Sequence, residues 1–178
     1  MQLLKTAFHP DLSVSDIRED SGLTIVERLA ARGIVLRGDD ILLLYTERYD
    51  DYSLPGGGID KGEDNEAGLI REMKEETGAR SVRNIVEFGR YDEYRPWYKD
   101  DADIIYIKSL CFVCDIDAEL GETSLESYEI SNGMKPLWVN IDSAIAHNEK
   151  VSASSPKKGL SIERESFLLR LIAGRLRD

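Results

Sequence analysis

The sequence has little cysteine, no long apolar run and a shortage of positive charge. No apolar stretch approaches the roughly 18 residues of a membrane-spanning helix, and polar residues follow Met1 too soon for a signal peptide. We therefore expect a cytoplasmic protein without a membrane segment. The 23 basic residues against 34 acidic ones give a net charge of −11. A field of this sign repels duplex nucleic acid and anionic membranes, so we expect neither as a partner.

The same negative charge bears on small ligands. A phosphorylated substrate would be repelled unless bound cations reverse the local charge, so a phosphate substrate would imply a metal. The two cysteines are poor candidates for its site. Cys111 and Cys114 are three residues apart in an apolar run that is typical of a strand, where such positions point to opposite faces. We predict two buried thiols rather than a disulfide or a metal site.

The length of 178 residues fits one domain with one hydrophobic core. Residues 1–22 are mixed and polar and are interpreted as an N-terminal extension or arm, and residues 23–178 as the single domain. Apolar runs and helical spacing of apolar residues predict strands at 23–36 and 41–45 (a hairpin), 81–94, 103–116 and 137–141, and helices at 64–77, 142–149 and near the C-terminus. This order favours an α+β fold in which helices cover a mixed sheet.

A glycine-rich loop precedes the most regular predicted helix. Residues 52–59 contain a proline and three glycines, so they form a loop whose backbone turns sharply or approaches something closely. Asp64 or Asn65 can cap the following helix, and Gly78 can end it. The helix carries an apolar stripe and, beside it, an acidic arc: Leu69, Ile70 and Met73, then Glu72, Glu75 and Glu76.

The acidic arc is locally unfavourable. Like charges three and four residues apart cost an isolated helix about 0.2–0.5 kcal/mol per pair. Gly68, one turn earlier on the same arc, costs about 1 kcal/mol relative to alanine. The arc is either a solvated surface or the lining of a cation site, since hard cations such as Mg²⁺ prefer carboxylate oxygens.

Residues 57–79 resemble the complete Nudix box. The box is Gly, five residues, Glu, seven residues, Arg-Glu, an aliphatic residue, any residue, Glu-Glu, any residue, Gly and an aliphatic or small residue. The chain supplies these in order as Gly57, Glu63, Arg71, Glu72, Met73, Glu75, Glu76, Gly78 and Ala79, after a Leu54-Pro55-Gly56 that is also typical of the family. The resemblance covers about an eighth of the chain. It implies a Nudix fold, a mixed β-sheet sandwiched between helices, with the box as loop, helix and loop.

The resemblance also implies roles for residues of the box. The implied ligands of Mg²⁺ or Mn²⁺ are Gly56 (through its carbonyl), Glu72, Glu75 and Glu76, with Arg71 orienting a box carboxylate and Gly57 and Glu63 in support. From the residues alone, Arg71 is also compatible with an ordinary helix salt bridge, and Glu63 with a favourable charge at the positive end of the helix.

The implied reaction is substitution at phosphorus by water, with metals neutralising charge and a carboxylate accepting the water's proton. Members of the family use either a box glutamate, here Glu75 or Glu76, or one from a later loop. Among the later candidates Glu122, Glu126 and Glu129, we favour Glu129. The alternative is that it is a surface loop carboxylate.

Aromatic residues offer a candidate for substrate binding. Tyr94, Trp97 and Tyr98 lie between two predicted strands and can stack a nucleobase, although core packing is equally compatible with them. Pro96 lies seventeen residues after Ala79, near the position where Nudix enzymes that cleave ADP-ribose carry a proline.

These observations predict a pyrophosphohydrolase that cuts a phosphoanhydride bond in a nucleoside diphosphate linked to another moiety, such as ADP-ribose or a nucleotide sugar, or in a nucleoside triphosphate. The alternative is a non-catalytic, nucleotide-sensing Nudix module. The expected partner is a nucleotide-derived small molecule, and the sequence leaves a homodimer open.

Overall fold

The computed structural model describes residues 1–176, which form eight strands and four α-helices. The last two residues of the predicted domain, 177 and 178, lie outside the described residues. The strands are β1 (Leu3–Phe8), β2 (Ile25–Ile34), β3 (Leu36–Arg37), β4 (Asp40–Thr46), β5 (Asp51–Ser53), β6 (Val82–Pro96), β7 (Ile104–Ile116) and β8 (Met134–Asn140), and the helices are α1 (Asn65–Thr77), α2 (Ser127–Ser131), α3 (Ile141–Ser154) and α4 (Ile162–Leu176).

The larger sheet has the order β1-β6-β7-β2 and is mixed. The long strands β6 and β7 are antiparallel, whereas β1 runs parallel to β6 and β2 runs parallel to β7. The predicted α+β class with a mixed sheet is confirmed. None of the helices within residues 1–176 is long and apolar enough to span a bilayer.

A second, smaller sheet was not predicted. Its central strand β4 pairs antiparallel with β8 along one edge and with the short strands β3 and β5. The predicted hairpin is confirmed only at its tip, where Leu36 and Arg37 face Ile41 and Asp40. The long strand before it pairs with β7 of the larger sheet instead. A continuous apolar run predicts a buried strand but carries no information about which neighbour it pairs with.

Residues 1–22, predicted as an extension or arm, contain a strand of the larger sheet. β1 pairs with β6 from Leu3, opposite Arg90, to Phe8, opposite Tyr94, and forms one edge of the sheet. The rings of Phe8 and Tyr94 stack with centroids 5.1 Å apart. The first residues of this segment therefore belong to the larger sheet. The domain boundary after residue 22 stays a prediction.

Apolar side chains form two core clusters. One joins α3 and α4 to residues of both sheets, and the other joins α1 to the opposite faces of the same strands. Cys111 belongs to the first cluster and Cys114 to the second, and both are buried and free. The predicted pair of buried thiols on opposite faces of one strand is confirmed.

Candidate active site

The glycine-rich loop lies along the free edge of β2. The N–H of Ala31 donates to the Gly57 carbonyl (3.0 Å), that of Gly33 to the Pro55 carbonyl (2.8 Å), and that of Ile59 to the Leu29 carbonyl (2.9 Å). Gly56 has φ of 130°, and a Cβ there would lie 2.1 Å from the Ala31 carbonyl oxygen. The loop therefore approaches β2 more closely than a side chain would allow.

Helix α1 follows this loop and has the predicted boundaries. The Asp64 carboxylate accepts hydrogen bonds from the N–H groups of Glu66 and Ala67, and Gly78 ends the helix in the left-handed conformation with φ of 73°. Leu69 and Met73 are fully buried in the predicted apolar stripe. Burying this stripe brings the acidic arc to the edge of β2, beside the glycine loop.

Glu76 is the most buried carboxylate of the arc, with 5% of its surface exposed. The N–H of Gly56 donates to its Oε2 atom. Burial raises the pKa of Glu76 to about 8, against the opposing effects of the Gly56 hydrogen bond and the Arg32 charge. Burial likewise raises the pKa of Glu72. A cation bound nearby would offset this effect, because it stabilises the charged form of both carboxylates.

Arg71 holds the carboxylates of the loop and helix together. Its Nε and Nη2 atoms donate to Oε1 and Oε2 of Glu63 (both 3.0 Å), and Nη1 donates to Oε1 of Glu72 (2.7 Å). Nη2 also donates to the Gly58 carbonyl (2.9 Å). The bond from Arg71 is the main cause that lowers the pKa of Glu63 to about 2. Arg71 therefore connects the loop before α1 to Glu72 on the helix.

Two glycines make room for these carboxylates. A Cβ at Gly57 would lie 2.5 Å from Oε2 of Glu72, and one at Gly68 would lie 3.0 Å from Oε2 of Glu63. The cost of Gly68 in the helix interior thus has a local reason, because the Glu63 side chain occupies the space that a larger residue would fill.

The loop and helix form one wall of a cleft of about 810 Å³. Its charged lining residues are Arg28, Arg32, Asp60, Arg71, Glu72, Glu75, Glu76, Glu126 and Glu129. No three ligating side chains among residues 1–176 already converge in the geometry of a metal site. Arg71 and the Gly56 N–H instead hold Glu72 and Glu76. The donor set nevertheless fits a hard divalent cation, which takes carboxylate and carbonyl oxygens.

Glu129 lines the same cleft as the acidic arc. It is 6% exposed and belongs to α2, where the N–H of Glu126 donates to its Oε2 atom (2.7 Å) and the Tyr128 hydroxyl to its Oε1 atom (3.0 Å). The charge of Glu129 contributes to the raised pKa of Glu76, after burial as the main cause. Glu126 also lines the cleft, whereas Glu122 does not.

The three predicted aromatic residues separate in the structure. Tyr98 lines the cleft with 80% of its surface exposed. Trp97 packs beside it, with ring centroids 4.5 Å apart, and donates to Asp101. Tyr94 stacks between Phe8 and Tyr106 and lines a different, smaller pocket of about 190 Å³. The structure therefore brings only Tyr98 of the three to the carboxylates.

Sequence reasoning missed three residues around the cleft. Arg28 and Arg32 lie four residues apart on β2 and line it, and Arg32 donates through Nη1 to the Gly56 carbonyl. Glu165 of α4 is fully buried and accepts a hydrogen bond from the N–H of Leu54 (2.9 Å). Two arginines four residues apart in a largely apolar strand were the available signal for the first two. Glu165 is one of several charged residues in its helix, so the sequence carried no distinct signal for the third.

Comparisons with known proteins agree with this geometry. A family model described as the NUDIX domain matches residues 27–158. A 45-residue stretch is 44% identical to the RNA pyrophosphohydrolase of a Nitratiruptor species; the match covers 25% of this chain and only 29% of that protein.

Solved structures share the fold at low sequence identity. A NUDIX hydrolase from Nitrosomonas europaea is 17% identical with a TM-score of 0.53, over 84% of this chain and 91% of that one. A MutT protein from Bacillus halodurans is 23% identical with a TM-score of 0.52, over 67% and 72% of the two chains. The family model spans most of the chain and includes the loop, the helix and the cleft, so the chain belongs to the Nudix family, as residues 57–79 predict.

Proposed function

We propose that this chain hydrolyses a pyrophosphate bond in a nucleotide derivative and depends on a divalent metal. The substrates considered are nucleoside diphosphates linked to another moiety, including ADP-ribose and nucleotide sugars, and nucleoside triphosphates. The observation that carries the proposal is the cleft, which is lined by the acidic arc of α1, by Glu129 and by the glycine loop. Carboxylates placed in this way suit a metal and an attacking water better than they suit a solvated helix face.

Glu72, Glu75 and Glu76 would hold Mg²⁺ or Mn²⁺, and the Gly56 carbonyl would complete the shell. That carbonyl accepts one hydrogen bond from Arg32, and a carbonyl oxygen has a second lone pair for a cation. When bound, the metal neutralises phosphoryl oxygens and lowers the pKa of water. Arg71 would keep Glu72 in place, and its bidentate bond to Glu63 would keep the start of the box against the helix.

Glu129 is our candidate for the base that takes the proton of the attacking water, and Glu75 is the candidate from the box. Glu129 is fixed by two hydrogen bonds and lies within the cleft, as a base must. Tyr98, exposed at the cleft, would stack the nucleobase. The named activity of the Nitratiruptor relative, an RNA pyrophosphohydrolase, supports the reaction class through a short match.

The test is hydrolysis of a panel of ADP-ribose, nucleotide sugars, dinucleoside polyphosphates and nucleoside triphosphates, with products identified by chromatography. We expect the wild type to release mononucleotide products in Mg²⁺ or Mn²⁺ and not in EDTA. Glu76→Gln should lower the rate by about a hundredfold or more, because it removes a charged metal ligand.

The matched control is Glu66→Gln, in the first turn of the same helix, where the side chain is exposed and lies outside the cleft. It should keep the wild-type rate. Equal turnover by wild type and Glu76→Gln would contradict the assigned site, and tight nucleotide binding without turnover in either metal would favour the binding-module alternative.

A further inference from the structure

Among the residues that the structure describes, Arg28 is a cation without an ion-pair partner, in a cleft that carries more carboxylates than cations. It is exposed, and within residues 1–176 its guanidinium makes no ion pair and no hydrogen bond. The other two arginines of the cleft are engaged, because Arg71 binds Glu63, Glu72 and the Gly58 carbonyl and Arg32 binds the Gly56 carbonyl. The donors of the Arg28 guanidinium are therefore available to an anionic group of a ligand that enters the cleft.

The glycine loop fixes where this guanidinium lies. Gly56 binds Glu76, a Cβ at Gly57 would meet Glu72, and a Cβ at Gly58 would lie 3.0 Å from Nη2 and 3.4 Å from Nε of Arg28. Three successive loop residues therefore lie next to Glu76, Glu72 and Arg28 in turn. The Arg28 guanidinium is adjacent to the loop residue that follows the neighbour of Glu72.

We propose that Arg28 binds a phosphoryl group beyond the scissile bond, so that the site favours substrates that end in a free phosphate over diphosphates closed by a neutral sugar. This inference rests on the proposed function and specifies its substrate class. The guanidinium donates in a planar fork that matches two phosphate oxygens, and its charge is permanent. A neutral sugar at this place would leave the guanidinium without an anion, whereas a terminal phosphate would pair with it.

The test measures equilibrium binding by calorimetry to the full chain in Mg²⁺. The ligands are α,β-methylene-ATP, a triphosphate analogue that ends in a free phosphate, and α,β-methylene-ADP-ribose, a diphosphate analogue closed by a neutral sugar; the α,β bond of neither can be hydrolysed. In Arg28→Ala, affinity for the triphosphate analogue should fall by about tenfold to a hundredfold, the usual effect of losing a charged hydrogen-bonded pair. Affinity for the diphosphate analogue should change by less than about threefold. Arg28→Lys should restore part of the loss.

Two further variants separate this contact from a general charge effect. Arg18→Ala changes the net charge equally at an exposed position outside the cleft and should leave both affinities unchanged. Gly58→Ala keeps the arginine and requires its guanidinium to move by only a small distance, so it should cost less affinity for the triphosphate analogue than Arg28→Ala. If Arg28→Ala weakens both analogues equally, or neither, the inference is wrong.

A 5′-triphosphorylated trinucleotide, titrated in the same way, distinguishes a free nucleotide from the end of a strand. Dependence on Arg28 with either triphosphate supports the inference, and dependence with neither overturns it. The result is independent of turnover. Arg28-dependent binding without hydrolysis would contradict the proposed function alone, and hydrolysis with no Arg28-dependent binding would contradict this inference alone.

Discussion

At the scale of single residues, three buried carboxylates lie in three different environments. Glu76 accepts a hydrogen bond from the glycine loop, and Glu165 accepts bonds from Arg164 and from the N–H of Leu54. Asp51 is 4% exposed, and no residue within 1–176 donates a hydrogen bond to its carboxylate. Burial, aided by the charges of Glu165 and Asp50 and opposed by His147 and Arg164, raises the pKa of Asp51 to about 6.

Asp51→Asn should remove a titration that weakens the fold near neutral pH. The pKa of Asp51 rises from 3.8 to about 6 on folding, so the folded state binds more protons between these values and the free energy of unfolding falls as pH rises. At about 1.4 kcal/mol per pKa unit, and with the unfolded carboxyl already more than half ionised at pH 4, the stability of the variant relative to wild type should increase by about 2.4 kcal/mol from pH 4 to pH 7. Urea unfolding at both pH values measures this difference. Asp20→Asn, at an exposed position, is the control, and parallel profiles for Asp51→Asn and wild type would contradict the prediction.

Single residues also mark the limit of what the sequence predicts. The Asp64 cap and the Gly78 end of α1 are confirmed, because both depend on hydrogen bonds and φ angles within a few residues. The positions of Arg28 and Arg32 in the cleft could not be predicted. Their positions depend on the glycine loop lying along β2, and the residues that the loop and β2 pair are more than twenty positions apart in the sequence.

At the scale of elements, helix α4 supports the glycine loop from beneath. Arg164 donates from Nε and Nη2 to Oε1 of Glu165 (2.9 and 2.7 Å) and from Nη1 to Glu93 of β6. The other oxygen of Glu165 accepts the N–H of Leu54, two residues before Gly56. A buried ion pair in α4, beyond the residues that match the family model, therefore holds one end of the loop that binds Glu76.

Glu165→Ala should destabilise the protein by about 3–5 kcal/mol, because it leaves the Arg164 charge and the Leu54 N–H buried without this partner. Chemical denaturation gives the free energy of unfolding, and amide hydrogen exchange at Leu54 reports whether the loop opens locally. Glu163→Ala removes an exposed carboxylate from the same helix and should cost no more than about 0.5 kcal/mol. Equal losses in the two variants would show that the buried pair does not hold the loop.

Strand β1 shows why some elements escape prediction. Leu3–Phe8 has no strict alternation of apolar and polar residues, and its parallel partner β6 lies more than eighty residues further along the chain. Parallel pairing at this separation leaves no turn signal in the sequence. The loop–helix segment of the site was predictable from local chemistry, whereas the edge strand and the second sheet depend on long-range pairing.

At the scale of the whole molecule, part of the net charge of −11 is concentrated in the cleft, where Glu72, Glu75, Glu76, Glu126 and Glu129 meet. Repulsion among them opposes folding, and a cation that binds only the folded cleft should stabilise the protein by mass action.

We therefore expect MgCl₂ to raise the melting temperature of the wild type, with a stabilisation of about 2.7 kcal/mol at a hundred times the dissociation constant. Differential scanning calorimetry, with NaCl at matched ionic strength, separates binding from screening. The double variant Glu72→Gln, Glu76→Gln should lose the Mg²⁺-specific part and respond to both salts alike. An equal response of the wild type to the two salts would contradict a specific site.

The two cysteines of β7 are internal probes of local opening on the two sides of the larger sheet. Both thiols are buried, so alkylating reagents will reach each one only when its surroundings open. Burial also raises the pKa of both thiols to about 12, which keeps them in the unreactive protonated form. Cys111 faces the core under α3 and α4, and Cys114 faces the core under α1. The alkylation rates of Cys111 and Cys114, measured separately by mass spectrometry, would therefore show whether the two core clusters open in one step or independently.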